Sequence, residues 1–424
     1  MKILIVGAGI GGLTTALSLH AAGLGAGVQV IDAAAELLPL GVGINLLPHA
    51  TRELTELGLG PELARMAVPT AEVVIMDVFG NRIWHEPRGV AAGYKWPQYS
   101  VHRGELQTML LGAVRERLGP DSVLTSKAFV ELSQDADGVV SRLGGREGQD
   151  PGTVESDVVI GADGLRSAVR AQLHPEEGPA RWSGITMWRG CVEGDPFLTG
   201  RTMMWAGSNR AAKFVAYPVS PPRGEHGRVL INWVAEVRVD AEDVRPPDWN
   251  RAGELVDVLP HYKGWNMAGV DVCELMAASP RILEYPMVDR DPLPSWGRGR
   301  VTLLGDAAHP MYPIGSNGGS QAILDARHLA YLLARHRDDP VAGLAGYEAL
   351  RRPATADIVR ANRSFPMDRI LNLVADRAPR GFDAIEDVLS AAELTEIGAA
   401  FGSTTGTDAE RLNARASLSV GVDG

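Results

Sequence analysis

Lys2-Ile3-Leu4-Ile5-Val6-Gly7-Ala8-Gly9-Ile10-Gly11-Gly12 opens the chain, and Val28-Gln29-Val30-Ile31-Asp32 follows one helix-length later. The run 2–6 is apolar throughout and too short for a helix, which fits a strand buried on both faces of a parallel sheet. Residues 13–22 read as a helix closed by Gly23, and 28–31 as a second buried strand. Gly7, Gly9 and Gly12 form the G-x-G-x-x-G pattern, and Asp32 stands twenty residues after Gly12. Each part has a physical role. Gly7 permits the tight turn, Gly9 lets backbone approach a pyrophosphate, and Gly12 lets helix pack on strand. The first N–H groups of the helix face the phosphates, and the Asp32 carboxylate suits ribose hydroxyls. The bland alternatives are a packing turn and a secretory leader. Glycines interrupt the apolar run, which argues against the leader.

The bulk properties bound the rest. At 424 residues the chain holds two domains or one with an inserted lobe. A hydrophobic share of 45% allows a large core. Lys and Arg number 41 against 52 Asp and Glu, a net charge of −11 that disfavours nucleic acid as a partner. An anionic cofactor must then be held by helix dipoles and a few arginines rather than by the overall field. Cys191 and Cys273 fit no paired motif and read as reduced thiols of a cytoplasmic protein. No apolar run reaches the ~18 residues of a membrane span, and no metal-ligand spacing is present.

Two further acids stand where buried strands end. Val158-Val159-Ile160 leads into Gly161-Ala162-Asp163-Gly164, and Val301-Thr302-Leu303-Leu304 into Gly305-Asp306-Ala307-Ala308-His309. Ligands of open α/β sheets sit at such strand ends. No second G-x-G-x-x-G occurs, so no permanent nicotinamide dinucleotide site is expected. After Asp306 a Pro/Gly loop with Pro313, Gly315 and Gly318 feeds a helix over 320–335, whose bare N–H groups face any anionic ring. Gly41 and Gly43 suggest backbone lying against something flat. Arg103 begins a helix, where a cation opposes the dipole unless an anion is near. Residues 123–143 suggest a hairpin or small antiparallel ribbon. From 182 to 285 the texture turns antiparallel, and six of nine tryptophans, Trp182, Trp188, Trp205, Trp233, Trp249 and Trp265, fall here. Met203, Trp205, Tyr217 and Asn232 are the candidate pocket residues. Residues after about 402 read as a mobile tail.

The blocks at Gly7–Gly12, Gly161–Gly164 and Gly305–His309 resemble the three fingerprints of single-component FAD-dependent aromatic hydroxylases with the p-hydroxybenzoate hydroxylase fold. Gly41-Val42-Gly43-Ile44-Asn45, Gly184-Ile185-Thr186-Met187-Trp188-Arg189-Gly190 and Tyr285-Pro286-Met287-Val288-Asp289 resemble the phenazine hydroxylases within that family. The resemblance covers about residues 1–365. It implies an α/β (α+β overall) chain with a discontinuous Rossmann-like FAD domain at 1–70, 100–180 and 286–365. A substrate-binding β-sheet domain would occupy 71–99 and 181–285, and C-terminal helices with the tail 366–424. Gly7, Gly9, Gly11 and Gly12 would hold the FAD pyrophosphate, and Asp32 the ribose. Arg103 would meet the diphosphate or ribityl region, Asp163 the cofactor and passing NAD(P)H, and Asp306 the ribityl chain. Pro313, Gly315 and Gly318 would line the isoalloxazine, and Gly43 would be a further cofactor-binding position.

The implied reaction is hydroxylation of a small aromatic substrate, a phenazine carboxylate or other aromatic acid, with NAD(P)H and molecular oxygen, through a flavin C4a-hydroperoxide. Loss of CO2 from a ring carboxylate would accompany it in phenazine hydroxylases. The chemistry is the flavin's, so no catalytic side chain is assigned. His309 reads as a structural histidine, with a base as the alternative. Arg189 and Arg210 are candidates to anchor a carboxylate. The expected protein is cytoplasmic, off the membrane, and a monomer or homodimer. The alternatives are another FAD oxidoreductase on this scaffold, a non-catalytic flavin-binding protein, and a dehydrogenase using the first fingerprint for nicotinamide.

Overall fold

The computed structural model describes residues 1–39, 41–145, 152–240, 251–365, 368–396 and 408–420. Trp249 and residues 402–407 and 421–424 of the expected tail lie outside these. Strand Ile3–Val6 is buried throughout. It is the centre of a five-stranded sheet ordered Val301–Leu303, Val158–Gly161, Ile3–Val6, Val28–Ile31, Val123–Leu124. Every pairing in it is parallel. All five strands therefore end on one edge, which is why Gly7, Asp32, Asp163 and Asp306 meet although they are far apart in sequence. Val28–Ile31 lies on one side of the central strand and Val158–Gly161 on the other. The glycine turn after Val6 thus sits at a topological switch point, where open α/β sheets take their ligands.

Helix Ile10–Ala21 covers this sheet and packs against helix Asn317–Arg335. In the second helix Ile323, Ala326, Ala330 and Leu333 repeat at helical spacing and are fully or almost fully buried. In the first, Leu13, Ala16 and Leu17 are completely buried. Each such leucine contributes about 1.5–3 kcal/mol. The long helix begins at Asn317, three residues earlier than the apolar pattern suggests, because Ser316 adopts φ +59° and turns the loop into it.

A seven-stranded sheet forms the second layer. Its order is Ile282–Asp289, Arg181–Gly194, Val229–Arg238, Ala212–Pro218, Thr202–Gly207, Glu72–Met76, Arg82–Pro87. Only Thr202–Gly207 with Glu72–Met76 is parallel. Period-two alternation gives the sheet two apolar faces. One carries Phe214, Trp233 and Trp188 under Tyr262 and Met276, while the other carries Met203, Val215, Tyr217 and Val234. Helix Asp368–Arg377 covers part of the second face with Ile370, Leu371 and Val374. Between the layers, Gly43–Leu46, Gln98–His102 and Val68–Thr70 form a small antiparallel sheet.

The expected antiparallel ribbon is present in Ala128–Gln134, Val139–Gly144 and Gly152–Ser156, while Val123–Leu124 ahead of it joins the parallel sheet. One expectation is corrected. The expected mobile tail packs over its described part. Helix Ala409–Ala414 buries Leu412, and Arg415 pairs with Glu53, a fully buried carboxylate that also meets Arg327 at 3.1 Å. Ser417 donates to Glu56 at 2.7 Å. A buried charge needs partners, and here one comes from more than 350 residues away. Among the described residues no helix is long and apolar enough to cross a membrane.

Candidate active site

Sterics shape the glycine turn. Gly7 takes φ +108°, and a Cβ at Gly12 would lie 1.9 Å from the Gly7 carbonyl oxygen. Gly9 differs: a Cβ there meets nothing within 4 Å. Helix Ile10–Ala21 has no capping side chain and no acid in its first turn. Asp32 accepts from the Ala8 N–H and the Ala34 N–H, each at 2.8 Å. Its carboxylate thus fixes the turn from behind.

The other two acids have different environments. Asp163 accepts from Ser167 Oγ at 2.5 Å and the Ala168 N–H at 2.7 Å, at the start of helix Ala168–Leu173. Burial nonetheless pushes its carboxyl above the usual range. The Asp306 carboxylate is reachable by solvent on the floor of the cleft, yet protein surrounds it, and this enclosure raises its pKa against the opposing pull of His309 and Arg103. Arg103 starts helix Arg103–Leu118 beside Gly41, and its guanidinium makes no hydrogen bond or ion pair among the described residues. Helix Asn317–Arg335, like the first helix, has neither a side-chain cap nor an acid in its first turn. By contrast, helices Arg103–Leu118, Ala168–Leu173 and Pro340–Asn362 are capped by His102, Ser167 and Asp339. The uncapped starts of Ile10–Ala21 and Asn317–Arg335 both border the cleft.

Two cavities meet there. The outer, about 610 Å³, is lined by Gly9, Gly11, Arg103, Asp163 and Asp306. The inner, about 280 Å³, lies on the seven-stranded sheet and includes Gly43, Gly315, Met203, Trp205 and Tyr217. Ile44, Arg189, Asp306, Pro313 and Gly318 border both. Gly43 is clamped at the junction. Its N–H donates to Asn232 Oδ1 at 2.7 Å, and its carbonyl accepts from Arg189 at 2.6 Å and Tyr217 OH at 3.0 Å. Burial pushes the Tyr217 phenol up to about 12, so it remains a donor.

Asn232 is therefore a correction to the pocket set: it is fully buried behind Gly43 and does not line the cavity. Arg210 forms an exposed bidentate pair with Asp376 outside both cavities. His309 Nε2 donates to the Asp325 carboxylate at 2.5 Å, and Asp325 also accepts from Arg351 at 2.7 Å. His309 and Arg351 hold the Asp325 carboxyl far below its ordinary range. This is a buried structural network supporting the loop.

The sequence reading missed Lys213, Glu236 and Asp368 on the inner cavity wall. The signal was alternation. Lys213 shares its strand face with Val215 and Tyr217, and Glu236 shares its face with Asn232 and Val234.

The residues fit FAD. Two uncapped helix ends and an unpaired arginine suit a diphosphate and an anionic ring edge, and the exposed Asp306 suits a polyol. The open space over Gly9 admits the pyrophosphate that the turn would cradle. Comparison with known proteins agrees. The FAD binding domain family model matches residues 1–362. Phenazine 1,6-dicarboxylic acid hydroxylase PhzS of Lysobacter antibioticus is 51% identical over 365 residues, covering 85% of this chain and 89% of that protein. 3-Hydroxybenzoate 6-hydroxylase of Klebsiella oxytoca is 31% identical over 372 residues, 86% and 87% of the two chains. The crystal structure of Klebsiella pneumoniae HpxO with FAD and uric acid superposes with a TM-score of 0.72 at 25% identity, covering 97% and 95%. Matched across most of its length by both sequence and fold, the chain belongs to the FAD binding domain family, and it is an FAD-dependent aromatic monooxygenase of p-hydroxybenzoate hydroxylase type.

Proposed function

We propose that the enzyme hydroxylates a phenazine carboxylic acid or a closely similar fused aromatic acid, with the ring carboxyl displaced as CO2. The observation that carries this is the inner cavity: a largely apolar pocket on the sheet face that opens beside the uncapped Asn317–Arg335 helix. The 51% identity to a phenazine dicarboxylate hydroxylase supports the substrate class.

The chemistry that FAD supplies when bound is reduction by NAD(P)H and activation of O2 for transfer of one oxygen atom to the ring. The chain's own residues bind, orient and exclude water. The N–H groups at Ile10, Gly11 and Gly12, with Arg103, hold the diphosphate. Asp306 accepts from ribityl hydroxyls, and Asp32 and Asp163 support the adenosine side and the cofactor cleft. The first N–H groups after Ser316, near Gly318, with their helix dipole, would favour negative charge on a bound flavin. Pro313, Gly315 and the clamped Gly43 would help hold its ring system. Met203, Trp205 and Tyr217 border the substrate. Val73, Val215 and Val234 keep the slot dry, which oxygen transfer to carbon requires. Arg189, held by Gly43 and Tyr285 at the junction, is the cation placed to meet a ring carboxylate.

In this division of labour residues 1–70, 100–180 and 286–365 carry the cofactor, and 71–99 with 181–285 carry the substrate. The enzyme works in the cytoplasm as a monomer or homodimer, which fractionation and light scattering check. The decisive experiment purifies the yellow protein and screens phenazine carboxylic acids and benzoates for stimulated NADH and NADPH oxidation, with product mass. Hydroxylated product lacking the carboxyl is expected from a phenazine acid. Turnover of benzoates alone would overturn the substrate class.

A further inference from the structure

The far end of the inner cavity contains a feature that holding a flavin does not require. Lys213 and Glu236 are directly paired across neighbouring antiparallel strands, 2.9 Å apart. They are 7% and 5% exposed, and both line the cavity. The ammonium lies 5.7 Å from the Trp205 ring centroid, a cation–π distance. An ammonium has three donors, and Lys213 makes no other ion pair or hydrogen bond from Nζ among the described residues. The Glu236 carboxylate takes no hydrogen bond from any other described side chain. Unused donors and acceptors in a buried wall are costly unless a ligand completes them.

The strand register gives a ruler. Tyr217 and Asn232 are paired at the junction end, where both bond to Gly43. Gly319 closes on Ile44 at that same end, with 3.7 Å from its virtual Cβ to Ile44 Cδ1. Lys213 lies four residues further along the strand, roughly 13 Å away. Val215 and Val234 pair between the two ends. The slot is thus polar at the junction, apolar in the middle and polar again at the far wall. A single ring spans less than half of it.

The charge balance selects the far group. Glu236 already neutralises Lys213, and Asp368 is a further acid on the same wall. A carboxylate placed there would meet one cation and two acids, so attraction and repulsion nearly cancel while its desolvation remains. A group that accepts from Lys213 and donates to Glu236 meets no such conflict.

We infer that Lys213 and Glu236 determine specificity, together reading a hydroxyl on the ring of a fused aromatic substrate most remote from the reacting carbon. This rests on the aromatic-hydroxylase reading above. The test uses the FAD-loaded enzyme and four tricyclic aromatic acids, alike except for the far ring, which bears hydrogen, hydroxyl, methoxyl or a second carboxylate. Kd is read from the perturbation of the flavin absorbance. The hydroxyl compound is expected to bind about tenfold or more tighter than the unsubstituted one, with methoxyl and carboxylate showing no such gain. Lys213→Met leaves Glu236 without its counter-charge, so Lys213→Met/Glu236→Leu, which removes both charges, is measured beside it. Flavin content reports folding. In the folded double variant the hydroxyl preference falls to about threefold or less. Tightest binding of the second carboxylate, or an unchanged preference in that variant, overturns the inference. If the wild type turns over the unsubstituted acid without any preference, the inference alone falls. If none of the four binds or stimulates NAD(P)H oxidation, the substrate reading falls and this inference with it.

Discussion

Substituting two glycines of one turn separates folding from cofactor binding. At Gly12 an added Cβ would lie 1.9 Å from the Gly7 carbonyl oxygen and 3.3 Å from Ile5 Cγ2. The first contact is with backbone, so strand or helix must move. Overpacking of this kind costs about 1–3 kcal/mol, and more where backbone shifts. Gly12→Ala should therefore lower the melting temperature of the apoprotein as well as that of the holoprotein. At Gly9 the added Cβ meets nothing within 4 Å, and φ is −75°, which alanine adopts freely. The only cost to folding is the poorer N-cap, about 1 kcal/mol or less. The methyl group instead occupies the space through which backbone approaches the pyrophosphate. Weakening hydrogen bonds to a charged group costs about 1.5–3 kcal/mol, a rise in FAD Kd of roughly ten- to a hundredfold. Fluorescence titration of apoprotein with FAD and thermal melts of both apo variants measure the two effects. If apo Gly9→Ala melts as low as apo Gly12→Ala, or binds FAD with the wild-type Kd, the assignment of the open space to the pyrophosphate is wrong.

Three other perturbations follow from the same geometry. Asp306 has a raised folded pKa, so its ionised form costs stability above that pKa, and the cost disappears as pH falls below the unfolded value of about 3.9. Asp306→Asn should make the apoprotein more stable at pH 7, with the gain shrinking to nothing near roughly pH 4, while FAD binds more weakly. A pH series of urea melts with FAD titrations decides it, and an apoprotein destabilised at pH 7 would contradict it. Asp325→Asn leaves Arg351 and His309 buried without their counter-charge, and a loss of about 3–5 kcal/mol should appear in chemical denaturation. Arg415→Ala removes one of two cations on Glu53; because Arg415 is about one-third exposed and Arg327 remains, about 1–2 kcal/mol is expected, seen as a lower melting temperature. An unchanged melt would mean the docked tail does not stabilise the fold.

Short-range chemistry made much of the fold legible. Ile3–Val6 reads as a buried strand because nothing polar interrupts it, and Gly7 and Gly12 read as required glycines because the turn leaves no room for a Cβ at either. Thr202–Gly207 and Ala212–Pro218 are legible as short, mostly apolar runs in a stretch whose turns carry Pro and Gly. What stayed hidden depends on partners distant in sequence. The docked tail needs Glu53, and nothing near Arg415 announces it. Asn232 looks like a pocket residue until Gly43 is seen to occupy its carboxamide oxygen. Lys213 and Glu236 look like ordinary exposed positions of an amphipathic strand, because alternation gives the face but not what covers it.

The three acids at the parallel-sheet edge show why equal position does not mean equal role. Parallel strands deliver all three to one edge, so sequence reasoning treats them alike. Hydrogen bonding then separates them. Asp32 receives two backbone N–H groups, and the nearer task of its carboxylate is to hold the glycine turn in shape. Asp163 receives a serine hydroxyl and backbone N–H groups, and its carboxylate stabilises a helix start. Asp306 receives no hydrogen bond from any described residue, stands open to the cleft, and carries a raised pKa because enclosure is not offset by donors. A carboxylate without donors inside an enclosed cleft is unstable by itself and persists where a ligand's hydroxyls complete it. Of the three, Asp306 is therefore the one whose loss should weaken FAD binding without weakening the apoprotein. Removing Asp32 or Asp163 should disturb the turn or the helix first and the cofactor only as a consequence.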